Sequence, residues 1–173
     1  MNGQIRKKKI ITAVAAVCLL LVYIMIFCFS SESAEESSAL SRAVMDFLVD
    51  MYYKMMGGGG EVVVVDPQAV PLEKIIRKAA HFAEYMAVGF LSFGIAVLWI
   101  KKLWYGIGLV MLQLLISGAM DELHQYFVPG RYASVKDVML DTAGGMAGIL
   151  IILLGKGYLF LWNYLKQFKR KKD

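Results

Sequence analysis

This chain of 173 residues has little cysteine, little charge and none of the short signatures that name a reaction. Its two cysteines, Cys18 and Cys28, lie in one apolar run, where a helix would hold them about 15 Å apart and beyond disulfide reach. So small a count gives no disulfide framework and no zinc spacing. The residues before them, Val17 and Phe27, are not the small ones a bacterial lipoprotein signal uses. Charged residues make up 19% of the chain, below the roughly 25% of a soluble domain, and they cluster between long apolar stretches. No HExxH pair, nucleophile elbow or phosphate loop occurs, and no internal repeat is visible.

Apolar residue types supply 58% of the chain and the mean hydropathy is +0.57. A soluble domain of this size could not bury that excess, so membrane insertion is the expected fold class. The net charge of +5 does not indicate nucleic-acid binding, which needs a basic face on a folded soluble module; here the basic residues flank apolar spans. No nucleic-acid partner is expected.

Four spans are expected, at about 10–29, 79–100, 103–120 and 138–154. The first follows the basic cluster Arg6-Lys7-Lys8-Lys9 and has the roughly twenty residues needed to cross a bilayer. That is longer than the apolar region of a cleavable signal peptide, so a retained span is expected. Only Lys101 and Lys102 part the second and third spans, which must form a tight antiparallel hairpin. With the N-terminus in the cytoplasm, twelve of the 19 lysines and arginines fall on the inner side, as the positive-inside rule requires. Thirteen of the 14 acidic residues then fall outside. The expected protein is a single multi-pass membrane domain over 1–173, with both termini cytoplasmic and a basic tail at 166–173.

An outer segment, 30–77, joins the first two spans. Ser33 and Glu36 have capping-box spacing, and Leu40, Val44, Phe47, Leu48, Met51 and Met55 recur at helical intervals. An amphipathic helix at about 38–56 is expected on the outer surface or over the bundle mouth. Gly57 to Gly60 should end it. Val62 to Val65 is too short and isolated for a sheet, and Pro67 and Pro71 mark a restrained approach to the second span.

The unusual residues are ionisable groups at the outer ends of the spans. They are His81 and Glu84 on the second, Asp121, Glu122, His124 and Gln125 on the third, Arg131 and Ser134 in the loop, and Lys136, Asp137 and Asp141 opening the fourth. At about 100° per residue, Gln113, Ser117, Asp121 and His124 share one stripe, while Asp137, Asp141, Gly144 and Gly148 share another. The polar stripe is expected to meet the glycine stripe, whose GxxxG pair permits close approach in lipid. Charges at membrane depth usually pair with one another or serve a function, although Glu122 and Lys136 would fit equally well in the headgroup layer. The planar fork of Arg131 suits the neighbouring carboxylates, or a phosphate or carboxylate of a ligand. His81 with Glu84, and Asp121 with His124, have the i,i+3 spacing of ligand pairs on one helical face. A metal-free network uses the same residues, so the pattern requires no cofactor and admits only a divalent cation. A histidine beside carboxylates titrates near neutrality and suits acid–base work.

Phe29-Ser30-Ser31 with Glu35-Glu36-Ser37 and Leu40-Ser41, then Arg77-Lys78-x-x-His81-Phe82-x-Glu84-Tyr85, then Asp121-Glu122-x-His124-Gln125-x-Phe127-x-Pro129-Gly130-Arg131, then Asp137-Val138 and Thr142-x-Gly144, resemble the VanZ-like family of bacterial membrane proteins. The resemblance spans nearly the whole chain. The family takes its name from a protein associated with resistance to teicoplanin, an acylated glycopeptide antibiotic. The resemblance carries over His81, Glu84, Asp121, Glu122, His124, Gln125, Arg131 and Asp137; it departs at Asp141, where similar proteins usually have Asn, and at Gly57–Val65, which reads as an insertion. Three functions follow as expectations. An outer-face pocket would bind an amphiphile, such as membrane lipid, a lipid-linked cell-wall precursor or a lipoglycopeptide, through Glu122, Gln125, Arg131, Ser134 and Asp141. Alternatively, a membrane enzyme would use His81 or His124 with Glu84, Asp121 and Asp137 on a phosphate or acyl bond. In the third, the chain is an accessory subunit of an envelope complex, its protein partners unspecified.

Overall fold

The computed structural model describes the backbone of residues 2–56 and 70–170, with side chains for 3–56, 74–160 and 162–163. Five helices follow in order: α1 (Asn2–Ser30), α2 (Ala34–Met55), α3 (Val70–Trp99), α4 (Leu103–Tyr126) and α5 (Val135–Arg170). There is no strand among the described residues. The expectations placed on Gly57–Gly60, Val62–Val65, Pro67 and the last three residues lie outside what is described.

Four helices carry apolar stretches of 24 to 28 residues: Gly3–Ser30, Lys74–Trp99, Leu103–Tyr126 and Val135–Phe160. At 1.5 Å per residue the shortest is about 36 Å long, enough to cross a hydrocarbon core of about 30 Å. All four are longer than the expected spans, because helical hydrogen bonding continues past the point where polar residues begin; only at the end of the second does the helix stop one residue short, at Trp99 and not Ile100. The chain folds as an all-α membrane protein.

The α3–α4 hairpin is as tight as the sequence demands. Its turn is Ile100-Lys101-Lys102, and Lys102 takes the extended backbone of an N-cap. At this end of the bundle Lys8 donates to the Leu98 carbonyl at 2.9 Å and Trp99 Nε1 donates to Thr12 Oγ1 at 2.8 Å. Lys8, Lys101 and Lys156 line one small cavity here. The basic residues early in α1, between α3 and α4, and at Lys156 of α5 therefore gather at one end.

Helix α3 is central and packs against each of the other four. Its closest neighbour is α5, through glycines. A Cβ on Gly144 would collide with the Phe82 carbonyl, one on Gly148 with the Met86 carbonyl and Phe90 nitrogen, and one on Gly89 with the Gly145 backbone. The glycine stripe of α5 thus meets the backbone of α3, not the polar stripe of α4 as its face had suggested. Leu114 of α4 fills the space beside Gly145 instead. Tyr85, Val88 and Phe93 of α3, Val110 and Leu114 of α4, Ile149 of α5 and Ile26 of α1 form the buried core. Below it Gln113 donates to both Tyr23 Oη (3.0 Å) and Ser92 Oγ (2.9 Å), tying α1, α3 and α4 together.

Helix α2 begins at Ala34, four residues before the expected start, because the capping box operates: Ser33 N donates to the Glu36 carboxylate at 2.9 Å, and Ser33 Oγ accepts from Glu36 N at 3.3 Å. Glu36 is held below the usual carboxylate range by the Ser33 hydroxyl and then by its backbone N–H. The helix buries Ser37, Ser41 and Met45, one turn apart, in the company of α3. Leu40, Val44, Phe47, Leu48, Met51 and Met55 stay exposed. In lipid, small residues mediate helix packing and apolar side chains face the bilayer, so the apolar stripe points outward.

Candidate functional site

The polar residues collect at the α2 end of the bundle. Its first layer is carboxylates brought together by three helices. His81, one-sixth exposed on α3, places Nδ1 3.9 Å from Glu84 Oε2 and 4.0 Å from Asp141 Oδ1 of α5. Asp141 is 1% exposed, and both its oxygens lack a hydrogen-bond partner among the described residues. Gly118 of α4 leaves room for it, since a Cβ there would already touch Asp141 Cβ at 3.6 Å. Asp121 comes from α4 and is also buried; one donor atom each from His81, Asp121 and Asp141 lie within 4.8 Å of one another.

Asp121 is fixed from behind. Ser30 at the end of α1 is fully buried and donates to Asp121 Oδ1 at 2.5 Å; Gln125, one turn after Asp121, donates to Oδ2 at 3.0 Å and to Ser30 Oγ at 3.2 Å. Sequence reasoning placed no role on Ser30, although it stands in the Phe29-Ser30-Ser31 string. An apolar helix with no polar face gives no sign of which side packs.

Arg131 does not clasp the carboxylates. Its Nη1 donates to the carbonyls of Phe29 (3.1 Å), Ser30 (3.3 Å) and Glu32 (3.3 Å). These carbonyls lie at and just past the end of α1, where i→i+4 partners run out and only Phe29 O keeps a turn bond, from Glu32 N at 3.3 Å; a cation there also complements the negative end of the helix dipole. Nearby, Gly130 takes φ +75°, where a side chain is strained, and Pro129 accepts a hydrogen bond from Ala34 N at 3.3 Å. Together these contacts hold the α4–α5 turn over the α1–α2 junction. Glu122 pins the same turn by accepting from Ser134 N at 2.6 Å.

Two further expectations are displaced. His124 is not in the cluster; its ring stacks on Phe27 of α1 with centroids 4.7 Å apart, and its Nδ1 has no hydrogen-bond partner among the described residues. Three residues on a helix turn by about 300°, so Asp121 and His124 point some 60° apart, and α1 occupies the side His124 faces. Asp137 lies at the rim and pairs with Lys78 at 2.7 Å, with no histidine.

A model of the family described as VanZ/LLP1 matches residues 15–156. The chain belongs to the VanZ/LLP1 family. The matched stretch contains every residue of this site, from Ser30 to Asp141. No curated protein and no solved structure matches the chain.

Two clefts open beside the cluster of this VanZ/LLP1 chain. One, of about 740 Å³, is lined by Lys74, Arg77, Lys78, Arg131 and Lys136, with His81, Glu122 and Asp137 among the remainder. The other, of about 290 Å³, runs between α2 and α3 and is walled mainly by Phe29, Leu40, Val44, Ile76 and Ala80. They share Arg77, His81 and Arg131. Burial, and then the charge of Arg77, hold Arg131 below its ordinary pKa. Lys74 and Arg77 have no carboxylate within ion-pair distance among the described residues, so the cleft presents unbalanced positive charge. The sequence signal for Arg77 was its place one turn before His81, on the same helical face.

Proposed function

We propose that the α2 end faces the exterior of the bacterial cytoplasmic membrane and binds an amphiphile with an anionic head. The head sits among Lys74, Arg77, Arg131 and Lys136, where charge-assisted hydrogen bonds suit phosphate or carboxylate. The apolar chain lies along Leu40, Val44, Ile76 and Ala80. The observation that carries this reading is the sharing of Arg77, His81 and Arg131 by a cationic cleft and an apolar groove. Lipid-linked cell-wall precursors and acylated glycopeptides both have this chemistry, and binding the latter would contribute to glycopeptide tolerance. The orientation rests on the gathering of Lys8, Lys101 and Lys156 at the opposite end, which the positive-inside rule places in the cytoplasm.

The test is equilibrium binding of labelled polyprenyl phosphate to the purified chain in detergent, with polyprenol as the neutral control. Arg77→Gln removes a contact to a charged group worth about 1.5–3 kcal/mol, roughly a 10- to 150-fold loss of affinity. Equal binding of phosphate and alcohol, or an unaffected Arg77→Gln, refutes the reading. For orientation, a cysteine at the exposed position 132, in a chain lacking Cys18 and Cys28, should react with an impermeant maleimide on intact spheroplasts. Labelling only after permeabilisation refutes it.

A second reading, catalysis on the bound ligand, draws on His81 lying about 4 Å from both Glu84 and Asp141. That placement suits an acid–base imidazole. Release of inorganic phosphate from the same labelled polyprenyl phosphate, with water as the acceptor and polyprenol as the other product, lost in His81→Gln, separates turnover from binding.

A further inference from the structure

A buried carboxylate without a hydrogen-bond partner needs either a proton or a cation, because an unpaired charge out of water is strongly disfavoured. Asp141 has both oxygens unpartnered at 1% exposure. No lysine or arginine among the described residues lies within ion-pair distance of it: Lys78 holds Asp137, Arg131 holds the carbonyls at the end of α1, and Arg77 stays in the clefts with no carboxylate in reach. Asp121 adds a second buried carboxylate, and Glu84 a third acid against His81.

We infer that His81, Asp121 and Asp141 form a binding site for a first-row divalent transition metal, of the zinc or manganese kind. Donor atoms bound to one such ion at about 2.0–2.2 Å lie about 3 Å apart when adjacent and up to about 4.4 Å apart when opposite. The three donors here already lie within 4.8 Å of one another, so side-chain movements on the order of 1 Å bring them to the adjacent spacing. One imidazole and two carboxylates favour a transition metal over Mg²⁺ or Ca²⁺, which take oxygen.

The surroundings have the organisation of a metal site. Ligating carboxylates are normally held by hydrogen bonds from behind, and Asp121 is held on both oxygens by Ser30 and Gln125. Each ligand comes from a different helix, so the ion would tie α3, α4 and α5 at their common end. Three protein ligands leave coordination positions for water or a ligand oxygen, and His81 lines both clefts. The site shares His81 with the amphiphile clefts, but its two carboxylates, Asp121 and Asp141, line neither, so metal binding is tested apart from the lipid ligand.

The experiment titrates the purified, chelator-treated full chain with Co²⁺, Mn²⁺ and Zn²⁺ in the absence of any lipid ligand. Visible absorption reads Co²⁺, electron paramagnetic resonance reads Mn²⁺, and competition against Co²⁺ reads Zn²⁺. One equivalent per chain is expected, with nitrogen coupling from His81 in the Mn²⁺ spectrum and a metal-dependent rise in melting temperature. Asp141→Asn keeps the shape and removes the buried charge, so it should fold while binding at least tenfold more weakly. Gln125→Leu removes no ligand but loosens Asp121, directly and through Ser30, and should weaken binding about 10- to 100-fold. Absence of stoichiometric binding, or Asp141→Asn binding like the parent, overturns the inference. So does Asp141→Asn melting higher than a parent that does not respond to metal, since Asp141 would then be a protonated acid in a metal-free bundle.

Discussion

Replacing Arg131 by alanine tests whether this guanidinium is a structural clamp as well as a ligand contact. One nitrogen shares its hydrogens among three carbonyls at 3.1–3.3 Å, so the loss is nearer that of one good charge-assisted bond than three. Because the side chain is only half-buried, water replaces part of it, and we expect about 1–3 kcal/mol. That energy should appear locally. The amides of Ser31, Glu32 and Ala34 bond to Phe27, Cys28, Phe29 and Pro129 across this junction, and their hydrogen exchange should quicken about 5- to 150-fold, the same energy expressed as an opening equilibrium. Exchange in the α3–α5 contact should not change. Arg131→Lys should restore only part of the protection, since an ammonium lacks the planar fork. Unchanged exchange at 31–34 in Arg131→Ala would refute the clamp. Arg77→Gln is the counterpart, because it should weaken ligand binding and leave those amides untouched.

Two other perturbations probe the frame. Gly148→Leu forces a side chain into the Met86 carbonyl and Phe90 nitrogen; overpacking of this kind costs about 1–3 kcal/mol and should lower the melting temperature in detergent, while Gly155→Leu, with nothing within 4 Å of its Cβ, should not. Equal melting temperatures would show that α3 and α5 do not approach so closely. Glu36 has a lowered pKa, so its contribution to the start of α2 is present above the unfolded value near 4.3 and is lost as pH falls through the folded value. The protection factors of the first turn of α2, corrected for the intrinsic pH dependence of exchange, should fall on that descent and be pH-insensitive in Glu36→Gln; protection that does not fall as the carboxylate is protonated would contradict the capping box.

The spans and hairpin were legible because twenty-residue apolar runs and a two-lysine break leave a bilayer few alternatives. The capping box at Ser33 and Glu36 was legible too, and only its consequence, a start at Ala34, was set too late. Contacts to backbone were hidden. Nothing in a sequence says that Arg131 will seek the carbonyls of Phe29 and Ser30, or that Gly144 and Gly148 will lie on the backbone of α3, because carbonyls and nitrogens are the same at every residue. Helical phase alone could not separate His124 from Asp121, since the decision belonged to α1, whose unbroken apolar surface conceals its packed side. In α2 the apolar stripe was visible but not its direction, which depends on whether lipid or protein lies opposite.

The way α1 is held has a bearing on how the protein is made. It is synthesised before the helices it packs against, so Thr12 waits for Trp99 and Ser30 for Asp121, some 87 and 91 residues downstream. Until they emerge the helix must reside in the bilayer without those partners. Between Ile10 and Phe29 it carries no charge to discourage that stay. The carboxylates belong to later helices, which enter beside neighbours already in place.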